Sequence, residues 1–186
     1  GSATLKANGD KEWWVNGKRH REDGPALIWT NGDKEWYVNG KRHREDGPAV
    51  IETDGDKEWW VNGKRHREDG PAVIKVNGVR VKAWWVNGKR HREDGPAVLY
   101  ADGDQDWYIN GNLHREDGPA VIINGYKEWR INGRRHREDG PAVVRASGDE
   151  DWYLYGKLHR EDGPALIKAN GDEDWYVNGK HHREDG

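Results

Sequence analysis

The pentapeptide His-Arg-Glu-Asp-Gly occurs eight times in 186 residues, ending at Gly24, Gly47, Gly70, Gly95, Gly118, Gly140, Gly163 and Gly186. The steps between copies are 23, 23, 25, 23, 22, 23 and 23 residues. A period this short limits the architecture severely, because no single unit carries enough apolar surface to fold alone. Such a chain must stack its units and bury each one against its neighbours. The whole of residues 1–186 is therefore expected to form one repeat domain of eight units of about 23 residues.

Composition decides what the units are made of. Charged residues account for 35% of the chain and hydrophobic ones for 33%, with a formal net charge of only -3, so both signs are abundant and nearly cancel. Neither a nucleic-acid field nor an acidic tail is indicated. So few apolar residues would ordinarily read as disorder, but 12 Trp and 7 Tyr oppose that reading. Cys is absent, which excludes disulfides, thiol catalysis and cysteine metal sites. No apolar run is long enough for a signal peptide or a membrane span, and the chain is expected to be soluble and cytoplasmic.

Turn signals then divide each unit. Asn-Gly at Asn8-Gly9, Asn31-Gly32 and Asn170-Gly171, and Asp-Gly at Asp54-Gly55 and Asp102-Gly103, separate two short apolar runs, which marks a hairpin. A second Gly follows each Trp segment, as at Asn16-Gly17 and Asn39-Gly40. Segments of this length rich in Val, Ile, Trp and Tyr are strands. The expected fold is all-β, a tandem array of eight antiparallel β-hairpin repeats, with each unit running strand, turn, strand, turn and then the HRED crossing.

Period-two alternation assigns two faces. Trp13, Trp36, Trp59, Trp84, Trp107, Trp129, Trp152 and Trp175 share one face with Val15 and its equivalents, and this face is expected to be the core. Ala26 and Ile28, with their equivalents, share a face of the other strand. Between the core positions lie Trp14, Tyr37, Trp60, Trp85, Tyr108, Tyr153 and Tyr176, with Arg130 in the sixth copy. Tolerance of Arg130 makes that face partly wet, and this outer aromatic row is the candidate interaction surface. Regularly spaced Trp and Tyr rings can stack on a peptide partner or on sugar rings.

The pattern Trp13-Trp14, Gly17, His20, Gly24 and Leu27-Ile28, repeated along the chain, resembles the MORN-type repeat in its divergent bacterial and phage form. The resemblance implies an elongated, twisted antiparallel sheet and a scaffold rather than a reaction. MORN repeats commonly place Gly directly after the His, whereas Arg21-Glu22-Asp23 intervene here. Phospholipid binding and membrane tethering, proposed for eukaryotic members, are not carried over.

The HRED crossing admits two readings. One His, one Arg and two carboxylates per unit fall into rows that could bind a repetitive ligand. In the structural reading Asp23-Gly24-Pro25 forms a turn, Arg21 pairs with a carboxylate, and His20 packs on an aromatic or bonds the turn. Divalent metal could be held by His43 with Asp46 or by His181-His182, but nothing fixes four ligands. No metal, cofactor or catalytic residue is assigned, since eight equivalent sites do not resemble one asymmetric active site. Nucleic acid is not expected, because Glu22-Asp23 cancels the basic run from Lys18 to Arg21. The longest hairpin, Val76 to Trp85, reads as a local bulge. The whole number of repeats leaves a closed ring as the alternative to an open array. The expected role is a non-enzymatic scaffold for protein-protein or self-association, with a carbohydrate-binding module as the alternative.

Overall fold

The computed structural model describes residues 3–78 and 80–182, and these contain strands and turns but no helix. Residues 183–186, the last crossing beyond its His, and Val79 of the longest hairpin lie outside the described residues. The chain divides into two compact units. The first is Gly1–His91 with Val98–Ala101, and the second is Arg92–Ala97 with Asp102–Gly186.

In the first unit, antiparallel pairing runs through Ala3–Leu5, Lys11–Val15, Leu27–Ile28, Lys34–Glu35, Val50–Ile51, Lys57–Glu58, Val73–Lys75, Val81–Ala83 and Val98–Tyr100 in that order. In the second it runs through Gln105–Asp106, Val121–Ile123, Tyr126–Glu128, Val143–Val144, Glu150–Asp151, Leu166–Ile167 and Glu173–Asp174. Each repeat thus adds two strands, as the turn signals require. Ala3–Leu5 and Glu173–Asp174 each have one paired neighbour among the described residues. The sheet is not closed into a barrel, which corrects the closed-ring alternative. The same residues face each other repeat after repeat, so the register does not accumulate the stagger that closing a barrel needs.

One hairpin per repeat is expected from the sequence, and the structure holds two. After Trp36 the chain leaves the sheet and forms a second, two-residue ladder between Tyr37–Val38 and Lys41–Arg42. Its turn places Asn39 and Gly40 at φ 50° and 80°, the paired left-handed geometry of a tight hairpin turn. Trp36 is the pivot. Its N–H donates to Ala49 O at 2.8 Å, in the following strand, and its carbonyl accepts from His43 N at 3.1 Å, in the side hairpin.

The fully buried residues differ from the expected core. Ala26, Ala49, Ala72, Ala97, Ala120, Ala142 and Ala165 have no exposed surface, and Leu27, Val98 and Val143 beside them are almost as deeply buried. Trp13 and its seven equivalents are only half-buried, so the expectation that they form the core is corrected. Ile28 is also half-buried, while its neighbour Leu27, on the opposite face, is buried. Buried with these apolar residues are carboxylates, namely Asp10, Glu12, Glu35, Asp56, Glu58, Asp106, Glu128 and Asp151.

The enlarged hairpin is no bulge in its paired part. Val73, Ile74 and Lys75 face Ala83, Lys82 and Val81 in regular register, so the added residues lengthen the ladder. They also open a cleft of about 470 Å³ whose lining includes Ile74, Val76, Val81 and Tyr100.

Candidate functional site

Outer aromatics, carboxylates and arginines form a single recurring cluster. A strand sends residues i and i+2 to one face, so Glu12 and Trp14 lie side by side, and the tight turn brings Arg19 back opposite Trp14. Glu12 accepts from Trp14 Nε1 at 2.9 Å and from Arg19 Nη2 at 2.9 Å. Glu35 accepts from the Tyr37 hydroxyl at 2.7 Å and Arg42 Nε at 2.9 Å. Glu58 accepts from Trp60 Nε1 at 2.8 Å and Arg65 Nη2 at 3.1 Å. In the sixth copy, where Arg130 replaces the aromatic, both Arg130 and Arg135 pair with Glu128.

Guanidinium groups also lie on the rings. Arg19 lies 5.5 Å from the Trp14 ring and 5.6 Å from that of Tyr37 in the next repeat. Arg65 bridges Trp60 and Trp85 in the same way, at 5.0 and 5.4 Å. The row Trp14, Tyr37, Trp60, Trp85, Tyr108, Tyr153 and Tyr176 is therefore largely half-buried, with only Trp14 clearly exposed, at 42%. In the first unit Trp14, Tyr37, Trp60 and Trp85 form a structural ladder of alternating rings and cations.

In two of these clusters the carboxyl group, that of Glu12 and that of Glu128, is held below its ordinary value. Burial alone would raise the carboxyl group of Glu12, but hydrogen bonds from Lys6, Trp14 and Arg19 outweigh it and hold the group below its ordinary value. Glu128 shows the same balance, with burial opposed by Arg135 and Arg130. Tyr37 is pushed up by burial and by the adjacent Glu35. The sequence reading missed these carboxylates, although the signal is present as Glu, an aromatic two residues on, and Arg seven residues on.

The fourth repeat breaks the pattern. Ala83 stands where the others carry Glu or Asp, and Trp85 Nε1 is buried without a hydrogen-bond partner.

In the HRED crossing the expected arginine–carboxylate pair is present, while Asp23-Gly24 forms a bend instead of the expected turn. Arg21 lies over its own Trp13, 4.1 Å from the ring centroid, donates to Asp23 at 2.8 Å and reaches the Pro25 carbonyl. Arg44, Arg67, Arg115, Arg137 and Arg160 repeat this contact within 4.1 to 4.3 Å. A Cβ at Gly24 would stand 3.0 Å from the Arg21 guanidinium carbon, so a larger residue there would push the end of that side chain aside by a few tenths of an ångström. The hydrogen bond from Arg21 holds the Asp23 carboxyl below its usual value. His20 Nδ1 accepts from the backbone N–H of Asn39, in the turn of the next repeat, at 3.1 Å. His43, His66, His114, His136 and His159 make the same inter-repeat bond.

Open clefts of about 750, 680 and 670 Å³ recur between successive crossings. Each has a Trp floor, at Trp36, Trp59 and Trp107, and the acidic residues of two crossings on its walls. They are equivalent sites rather than one singular pocket.

Among the described residues, neither His43 with Asp46 nor His181-His182 belongs to a cluster of three or more groups able to hold a metal. His43 Nδ1 accepts from Asn62 N–H and Asp46 accepts from Arg44. His181 Nε2 lies 3.8 Å from Asp174, and His182 is tied through its backbone to Trp175. Glu52, Asp54 and Asp56 offer ligand atoms within 4.8 Å of one another, but Lys75 Nζ already stands 2.8 Å from Asp56 and 3.8 Å from Glu52. Among the described residues no helix is long and apolar enough to cross a membrane.

Fold and cluster together define the class, an all-β hairpin-repeat protein held by internal charge and ring ladders. No family model matches the chain. No curated protein matches it either.

Proposed function

We propose that this chain is a non-catalytic scaffold of MORN-like repeats, soluble and cytoplasmic, that acts through protein-protein or self-association. The observation carrying this reading is how the groups able to do chemistry are used. In repeat after repeat the crossing His accepts an inter-repeat backbone N–H, and the crossing Arg lies on a Trp ring and pairs with its own Asp. Groups committed alike along the chain serve the array, and its outward rows remain for partners.

A glycan-binding module using the outer aromatic row is the weaker alternative, because guanidinium groups stand against those rings. Replacing Trp60 and Trp85 by Ala separates the two. A scaffold loses stability or assembly, seen in thermal melts and light scattering, whereas a lectin keeps its fold and loses oligosaccharide affinity. Retained stability and assembly in that variant would count against the scaffold.

A further inference from the structure

The sheet's more open face carries different charges in the two units. In the first unit Lys11, Lys34, Lys57 and Lys82 occupy alternate strands in one cross-strand line, with Ile28, Ile51 and Ile74 directly between them. Directly opposed antiparallel residues point to the same side, and strands lie about 4.8 Å apart, so the lysines recur about every 9.6 Å. All four are exposed. Among the described residues none takes part in an ion pair, whereas Lys6 and Lys75 do. A line of like charges repels itself, so this face is better satisfied by carboxylates brought from outside.

The equivalent line of the second unit supplies such carboxylates. There Gln105, Lys127, Glu150 and Glu173 hold the lysine positions, with Ile167 directly between the two glutamates. Because both lines come from the same repeat, Glu150 and Glu173 have the spacing of two neighbouring lysines. Neither glutamate forms an ion pair among the described residues.

We propose that the lysine line of one molecule docks on the Glu150–Glu173 line of a second copy of this chain. Two Lys–Glu pairs then flank an Ile–Ile contact, and burial of the half-exposed isoleucines adds a hydrophobic contribution. Lys127, two strands before Glu150, confines the overlap to an end of the lysine line, where it meets no lysine. The proposal rests on the self-association reading and specifies its surface.

The test uses three charge-reversed chains and light scattering coupled to size exclusion over a wide concentration range. One chain carries Lys11→Glu, Lys34→Glu, Lys57→Glu and Lys82→Glu, a second carries Glu150→Lys and Glu173→Lys, and the third carries all six. Wild type is expected to associate as concentration rises and to dissociate in high salt. Either partial reversal weakens self-association at least about tenfold, mixing the two restores it, and the six-fold reversal associates like wild type. Restoration also shows that the reversed chains fold. Wild-type association indifferent to salt and to both partial reversals would overturn this surface and leave self-association standing. A wild-type mass constant near 21.4 kDa would overturn both.

Discussion

Replacing Glu58 by Ala tests the carboxylate ladder directly. Glu58 is 7% exposed and accepts from the indole N–H of half-buried Trp60 at 2.8 Å and from Arg65 at 3.1 Å. Loss of the carboxylate strands the Trp60 N–H at a cost of about 1–2 kcal/mol. Arg65 keeps 34% of its side chain in contact with water, so its lost ion pair costs only about 1 kcal/mol. No longer having to bury a charge offsets part of this, leaving a net loss of about 2 kcal/mol. Urea unfolding followed by both tryptophan fluorescence and far-UV circular dichroism reads this as a lowered midpoint at unchanged slope. Glu58→Gln keeps an acceptor for the indole and should lose about half as much. A cycle with Arg65→Ala isolates the pair, with an expected coupling of about 1 kcal/mol. A loss below about 0.5 kcal/mol for Glu58→Ala, with no coupling, would refute the reasoning, since unremarkable surface positions behave that way.

Three further outcomes are expected. Ala83→Glu should supply the acceptor that Trp85 Nε1 lacks and raise stability by about 1 kcal/mol, read by urea unfolding; a loss of stability would show that the fourth repeat has no room for the carboxylate. Because the folded-state carboxyl groups of Glu12, Glu128 and Asp56 lie below their ordinary values, their stabilisation is fully present above the unfolded range near about pH 4 and lost as pH falls through the folded values. Urea midpoints measured against pH should therefore drop on acidification below about 4, and a rise there would contradict the ladder. Removing the inter-repeat acceptor by His66→Ala should cost about 1 kcal/mol and speed hydrogen exchange at the Asn87 amide, whereas unchanged exchange would dismiss the bond.

The two glycine turns and the short β-branched and aromatic runs of each copy determined an all-β array, because turn chemistry and period-two patterning act within a few residues and need no tertiary contact. The pairing of Arg21 with a carboxylate was legible from the crossing motif, but only the structure decided that the partner is Asp23 and that Gly24 lies against the arginine. Tertiary structure alone decided which residues are buried. Alternation separates two faces without saying how deeply each is covered, so Trp13 could be mistaken for core while Ala26 and Glu12 lie deeper. A buried glutamate looks like a solvated one until Trp14 and Arg19 are seen to converge on it across a turn. His20 is likewise an inter-repeat acceptor only because stacking sets it against the Asn39 turn 19 residues away, a distance at which local sequence preferences no longer act.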